Sequence, residues 1–311
     1  MTKISVIIPN YNHARFLKLR IDSVLRQTYS NFEVIILDDC SPDNSREIIE
    51  QYRNHPKVSQ IIFNEKNGRS TFKQWEKGIA LAKGKWIWIA ESDDWCEPSF
   101  LETMMQGLND HDECVIGYCQ SYCIVNDNEI RFQTQHPKLT DYSNGHDFIN
   151  NYMLNGNSIY NASMAVWRKD KFELISKAFT TYKFCGDWMF WVELASLGDV
   201  MISGRVLNYF RKHDKDVSGA AYQSGSGHLE LIKLGKDLLK GGLINTDQYT
   251  RFMVCRYYEF KDQENRIEGE RSKEISSIFL SERSVQAIIN KNQAITKVKH
   301  YLKKTIHSWS R

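Results

Sequence analysis

Through the first hundred residues, short apolar β-branched runs alternate with stretches of helical spacing, and two of the runs end in acidic pairs. Residues 4–8 (ISVII) form the first run, stopped by Pro9, and read as a buried strand. Residues 14–27 then place Phe16, Leu17, Ile21, Val24 and Leu25 at helical spacing. A second strand is expected at 33–37 (EVIIL), halting at Asp38-Asp39, with Ser41 and Asp43 as helix-start residues beyond it. The rhythm repeats with a strand at 58–63, a helix at 71–83 closed by Gly84, and a strand at 85–90 (KWIWIA). That strand ends in Glu91-Ser92-Asp93-Asp94, and Glu97-Pro98 opens another helix. Alternation of this kind implies an α/β class with a mainly parallel sheet. Ligands of such sheets bind beyond the carboxyl ends of the strands, where both acidic pairs fall.

After residue 113 the pattern changes. A strand-like run (114–125), a polar loop (126–145), a helix and a strand at 159–167 precede Gly186-Asp187. A helix (187–197) and a strand (200–211) follow, and from about 222 onward the sequence reads as helices rich in Lys, Glu and Leu. The loop signal YQSGSG sets a boundary at 220–225, giving domains of 1–220 and 221–311. There is no internal repeat.

With 41% hydrophobic residues in 311, the chain can bury a sizeable core. Its seven cysteines form no CxxC pair, and Cys114, Cys119 and Cys123 lie in the 114–125 run. A disulfide scaffold and a paired zinc site are thereby excluded, and reduced, buried thiols are expected. The apolar stretch before Pro9 is too short for a signal-peptide core, and no stretch approaches a spanning helix, so a cytoplasmic location is expected. Lys291, Lys297, Lys299, Lys303, Lys304 and Arg311 come from a tail without acids. Taking those six from the 41 basic residues leaves 35 against 38 acidic, so the body is slightly acidic and no nucleic-acid partner is expected. In the tail, Ile295, Val298, Leu302, Ile306 and Trp309 step as a basic amphipathic helix, which suits peripheral contact with the inner face of an anionic membrane or simple packing on the body.

Three carboxylates at one strand end repel one another unless a cation neutralises them, and a hard divalent ion shared with substrate phosphates is the usual answer. The plain alternative is a solvated acidic turn with a helix cap. Asp38-Asp39 can accept hydrogen bonds from a ribose or a base, or cap the next helix.

Four segments in order, VIIPNYN, LRQTY, ILDDCSPDNS and GIALAKGKWIWIAESDDW, resemble those of family 2 glycosyltransferases, closely from residue 4 to about 100 and more loosely to about 218. The resemblance implies the GT-A fold, the Rossmann-like, mainly parallel sheet of nucleotide-diphospho-sugar transferases; it does not cover the helical C-terminal extension read from the sequence pattern. It also implies inverting, Mn²⁺- or Mg²⁺-dependent transfer from a nucleoside-diphosphate sugar, UDP ahead of dTDP and GDP. The acceptor would be a glycan or lipid-linked glycan in cell-surface polysaccharide synthesis.

Carried over by position, Pro9, Tyr11 and Asp39 match the nucleotide pocket, with Asp39 at the base. Asp93 matches the final Asp of the metal-binding motif; Glu91 stands in its first position, usually Asp, and Ser92 lies between as a nucleotide contact. Asp187 of Gly186-Asp187-Trp188 matches the catalytic base, with Gly186 replacing the preceding acid; its simpler role is a helix cap. In the stretch 209–213, His213 matches a metal ligand and Arg211 or Lys212 a phosphate contact. Many relatives carry Ala-Arg-Asn before the glycine matching Gly78, where this chain reads Phe72-Lys73-Gln74-Trp75-Glu76; Lys73 is the candidate for the missing positive charge. The Gln-x-x-Arg-Trp motif of processive synthases is missing, which favours addition of a single sugar. Pyrophosphorylase and dinucleotide-oxidoreductase readings both need glycines where PNYNHARF has none. A non-catalytic nucleotide-binding module remains as the alternative, and it has little use for Asp187.

Overall fold

The computed structural model describes residues 3–126, 128–213 and 217–292, in two compact units, Met1–Asp216 and Val217–Arg311. In the first unit the chain runs β1 (Ile4–Asn10), α1 (Ala14–Leu25), β2 (Phe32–Asp38), α2 (Ser45–Glu50), β3 (Val58–Phe63), α3 (Thr71–Leu81) and β4 (Trp86–Ile89). It continues through β5 (Trp95–Cys96), α4 (Phe100–Leu108), β6 (Cys114–Val125), β7 (Glu129–Gln133), β8 (Thr140–Ser143) and α5 (Gly145–Phe148). β9 (Ala165–Arg168), α6 (Gly186–Ala195) and β10 (Asp199–Arg211) complete it.

The strands form one sheet in the order β3-β2-β1-β4-β9-β6-β10-β5, with β7 added to β6 and β8 to β10. β3, β2, β1 and β4 are mutually parallel, and β6 pairs parallel with β10. β9 runs antiparallel to both β4 and β6, so those two blocks point the same way. The carboxyl ends of β1, β2, β4 and β10 therefore emerge at one edge of the sheet. β1, β2 and β4 are buried along their whole length and rich in Val, Ile, Leu and Trp, as expected where both faces are covered.

Several expectations from sequence need correction. β1 passes through Pro9 to Asn10, where a stop at Pro9 was expected. The Ile7 carbonyl accepts from Ala90 N–H (2.8 Å), so Pro9, two residues on, faces the same side just past the end of β4, where no ladder donor is required. The polar loop at 126–145 contains β7 and β8; β7 is exposed along its whole length, so no buried face marks it as a strand. The strand expected at 159–167 is reduced to Ala165–Arg168, because Asn161 and Ser163 turn toward buried polar partners described below.

The turn from α3 into β4 depends on a close approach. Ser5 Oγ accepts from Gly84 N–H (2.8 Å) and donates to Glu33 (2.7 Å), which in turn accepts from Lys83 N–H (2.8 Å). A Cβ on Gly84 would stand 2.5 Å from Ser5 N and 2.6 Å from Ile4 C, both backbone atoms that cannot step aside.

The second unit is helical: α7 (Val217–Gln223), α8 (Ser226–Lys240), α9 (Thr246–Gln263) and α10 (Gly269–Ser281), with helix again from 283 to 292. Leu231, Leu234, Leu238, Phe252, Met253, Phe260, Ile275 and Phe279 form its core, and an Asn245–Gln248 capping box starts α9. The basic amphipathic segment expected over Ile295–Trp309 lies outside the described residues. Gly84→Ala should lower stability by about 1–3 kcal/mol, read as a drop in the urea midpoint, because the added methyl meets the Ile4–Ser5 backbone.

Candidate active site

The two aspartates at the end of β2 do different work. Asp38 shapes the loop, accepting from Asn10 Nδ2 (2.7 Å), Ser41 Oγ (2.6 Å) and Ser41 N–H (3.0 Å). Asp39 accepts from Asn64 Nδ2 (2.6 Å), Gln74 Nε2 (2.8 Å) and Gly68 N–H (3.0 Å). Neither caps α2. Asn44 holds the N-cap position without a side-chain capping bond, and Asp43, one residue earlier, accepts from Ser45 N–H (3.1 Å) while its other oxygen accepts from Ala14 N–H (2.9 Å) at the start of α1. Tyr11 stands 46% exposed on the loop between Pro9 and α1.

The acidic turn after β4 sorts its carboxylates by environment. Asp94 is buried and accepts from Ser163 Oγ (2.6 Å), from Arg211 N–H (2.9 Å) and from Asn161 Nδ2, with Arg20 at 3.8 Å. Burial and the charge of Asp93 push its carboxyl up to about 7. Glu91 accepts from the Trp75 indole (2.9 Å); burial and the same neighbouring charge push it up to about 8. Asp93 behaves oppositely. Burial raises it, but the His213 hydrogen bond and the charges of His13 and His213 outweigh that and hold it below the ordinary carboxylate range. Asp93 is thus the ionised member of the turn, and His213 Nε2 lies 3.2 Å from its Oδ2. An imidazole beside an ionised carboxylate is a donor set that fits a divalent cation.

Two residues the sequence did not single out complete this region. Arg20 of α1 is fully buried, donating Nε to the Glu91 carbonyl (2.8 Å) and Nη2 to Ser163 Oγ (3.0 Å) over the Trp88 ring. His13 meets Ser92 Oγ through Nδ1 (2.9 Å), and its ring stands edge-on to His213, centroids 5.4 Å apart. The signal that could have found Arg20 is its place on the apolar face of α1, three residues after Leu17 and four before Val24, where a charge needs a buried partner.

Arg211, expected at phosphate, lies 5% exposed between Phe16 and Trp95 (4.4 and 4.6 Å to the ring centroids) and donates Nε to the Asp93 carbonyl (2.9 Å). In this arrangement it fixes the turn that carries Asp93. Lys73 is exposed in the first turn of α3, while its neighbours face inward: Gln74 to Asp39, Trp75 to Glu91.

Asp187 sits partly buried in the first turn of α6. Its Oδ1 accepts from Trp188 N–H (2.8 Å) and Oδ2 from Asn157 Nδ2 (3.3 Å), so it serves the helix start with one oxygen. Burial pushes its carboxyl up to about 7 against those bonds. The stretch 157–163 touches both chemical groups, Asn157 holding Asp187 and Asn161 and Ser163 holding Asp94.

Gly186 has a steric reason. A Cβ there would lie 2.5 Å from the Phe72 ring and 2.5 Å from the Phe179 carbonyl oxygen, so Phe72 occupies the space a side chain at 186 would take. Gly186→Ala should cost about 1–3 kcal/mol. In a Phe72→Ala background the same change should cost less, a coupling of roughly 0.5 kcal/mol or more that a double-mutant cycle in urea would resolve.

Against known proteins, GlyG of Streptococcus pneumoniae serotype 4, a glycosyltransferase, is 35% identical over 120 residues, 38% of this chain and 40% of GlyG. The poly(ribitol-phosphate) beta-N-acetylglucosaminyltransferase TarS of Staphylococcus aureus is 32% identical over 120 residues, 37% of this chain and 20% of TarS. The aligned stretch thus spans less than half the length of either relative. The crystal structure of S. aureus TarS 1-349 with UDP matches with a TM-score of 0.65 over 86% of this chain and 76% of that one, at 18% identity, a likeness of fold. The mannosyltransferase PcManGT of Pyrobaculum calidifontis, in complex with GDP-Man and Mn²⁺, matches with a TM-score of 0.58 over 97% of this chain and 83% of that one, at 14% identity. The model of glycosyl transferase family 2 matches residues 5–175, more than half of the chain, and the protein belongs to that family.

Proposed function

We propose that the protein transfers a single sugar from a nucleoside-diphosphate sugar to an acceptor hydroxyl with inversion at the anomeric carbon. The observation that carries this reading is Asp187, a carboxyl lifted to about 7 at the start of α6 and joined through residues 157–163 to the acidic turn of β4. A general base is most effective when its pKa lies near the working pH. As the acceptor oxygen bonds to the anomeric carbon, Asp187 takes the hydroxyl proton, and the bond from that carbon to the diphosphate breaks on the opposite face. One displacement inverts the centre, so an α-linked donor gives a β-linked product. Asp39 orients the nucleotide base, and Pro9 and Tyr11 border it. Glu91 and Ser92 contact ribose or phosphate. A divalent cation held by Asp93 and His213, Mn²⁺ in preference to Mg²⁺, would neutralise the leaving diphosphate.

In this reading residues 1–220 form the catalytic domain and 221–311 a helical extension, acting in the cytoplasm on a glycan or lipid-linked glycan bound for the cell surface. No helix among the described residues is long and apolar enough to cross a membrane. UDP is the favoured carrier, in keeping with the UDP complex of TarS. Calorimetric titration with UDP, GDP and dTDP, each with Mn²⁺ and with EDTA, sorts the carrier; binding of none of them would remove the donor assignment.

Asp187→Asn should lower kcat by about 10²–10⁴-fold while nucleotide affinity stays near that of the parent. Equal turnover by the variant would dismiss Asp187 as the base. In the parent, the base must be ionised, so kcat/KM should fall about tenfold per pH unit below about 7 and level off above it. Stability moves the other way. The folded carboxyl is raised above its ordinary value of 3.8, so its contribution is complete below about 4 and is lost as pH rises through about 7. Asp187→Asn should therefore raise the Tm more at pH 8 than at pH 5.

A further inference from the structure

The loop between β1 and α1 is held in more detail than nucleotide contact alone would require. Asn12 adopts a left-handed backbone (φ 58°), a conformation costly for a residue with a side chain. Bonds to the β2–α2 loop fix it on both sides: Asn12 N–H donates to Ser41 Oγ (2.9 Å) and Ala14 N–H to Asp43 (2.9 Å). Between these two clamps stands His13, whose backbone therefore has little freedom. Its ring is directed across to β4, where Nδ1 meets Ser92 Oγ (2.9 Å), one residue before Asp93. On the other side of Asp93, His213 is stacked on Phe16 (centroids 5.5 Å, 27° between planes), and Phe16 also packs edge-on to His13 (6.1 Å). One ligand atom from each of His13, Asp93 and His213 lies within 4.8 Å of the others.

From this geometry we propose that His13 is a third protein ligand of the cation, making the site two imidazoles and one carboxylate that selects borderline transition dications over Mg²⁺. The proposal rests on the reading that Asp93 and His213 hold a metal. Three observations support it. The ligand atoms are close enough for one ion to touch all three. The bond of Nδ1 to Ser92 Oγ orients the ring, and a ligating imidazole is usually oriented by such a hydrogen bond. The chemistry of the set also discriminates, because imidazole nitrogen suits Mn²⁺, Co²⁺ and Zn²⁺, whereas Mg²⁺ prefers oxygen ligands and gives up water reluctantly. A site of Asp93 and His213 alone would lean less strongly toward transition ions. The ligand would then come from the β1–α1 loop, so the cation would connect the element that borders the nucleotide to the ends of β4 and β10.

Mn²⁺ binding to the full chain, followed by electron paramagnetic resonance in the presence of UDP, GDP or dTDP, tests this without using turnover. The parent should show pulsed-resonance couplings from two imidazole nitrogens, and His13→Phe, which retains an aromatic ring against Phe16, should show one. Its Mn²⁺ affinity should fall about tenfold or more, and the Mn²⁺-over-Mg²⁺ preference measured by competition should shrink. His13→Asn, which retains a polar group for Ser92, serves if the phenylalanine variant does not fold. His213→Phe should also lose one coupling. One nitrogen coupling in the parent, unchanged together with the affinity in both His13 variants, would overturn the third-ligand assignment while leaving the metal site of Asp93 and His213 standing. No Mn²⁺ binding by the parent with any of the three nucleotides would remove the metal reading and this inference together.

Discussion

The buried guanidinium of Arg20 allows β4 to end in three carboxylates. With its side chain fully out of water, it donates to the Glu91 carbonyl and to Ser163 and lies 3.8 Å from Asp94. A buried charge needs a counter-charge and hydrogen-bond partners: Asp94 supplies the first, the Glu91 carbonyl and Ser163 answer Nε and Nη2, and Nη1 has no hydrogen-bond partner among the described residues. The dependence is mutual. Without a cation beneath it, Asp94 could not be enclosed by Asn161, Ser163 and the Arg211 amide, and the turn would lose the contacts that join β4 to β10 and to the stretch leading into β9. Arg is suited to this in a way Lys is not, since its planar fork reaches a carbonyl and a hydroxyl in different directions while its face lies over Trp88.

Helix α3 makes a second set of connections from one side. Phe72 fills the space over Gly186, Gln74 donates to Asp39, and Trp75 donates to Glu91. These are the positions where the chain departs from the Ala-Arg-Asn run of many relatives, and the departures fit one another physically. A large ring at 72 requires a glycine at 186. A neutral indole at 75 meets a carboxyl that burial has already raised to about 8, a pairing that does not require a full negative charge on Glu91. The family pattern at Gly186 and the one at 72–76 are therefore two ends of a single packing arrangement, Trp75 and Phe72 being joined ring to ring at 5.1 Å.

What was legible in the sequence follows from how much of each signal is local. The parallel core announced itself because its strands are buried on both faces and read as unbroken apolar runs, and the acidic ends marked the edge where the site lies. β7 and β8 gave no such signal, since an exposed edge strand has no buried face to impose alternation. Within the candidate site, motif position singled out Asp39, Asp93, Asp187 and His213, but it gave no view of partners distant in sequence. Arg20 lies 71 residues from the carbonyl it holds, and Asn157 lies 30 from Asp187. Lys73 illustrates a related limit. Its charge made it the conspicuous residue of its segment, yet helical geometry turns the neighbouring amide and indole inward.

Burial also divides the labour among the carboxyls. Four acids come from two short segments, and three of them, Glu91, Asp94 and Asp187, are lifted to between about 7 and about 8, while Asp93 is held low by two histidines. Environments that push such groups apart separate chemical roles. A carboxylate that stays ionised attracts a cation and keeps its charge throughout a reaction. One poised near neutrality can accept a proton and release it again. Asp187 differs from Glu91 and Asp94 because neither a neighbouring carboxylate nor Arg20 contributes to its shift: removal from water raises it, and only backbone and amide hydrogen bonds oppose that rise. Its proton affinity is thus set by the α6 start and Asn157 rather than by the charges of the acidic turn.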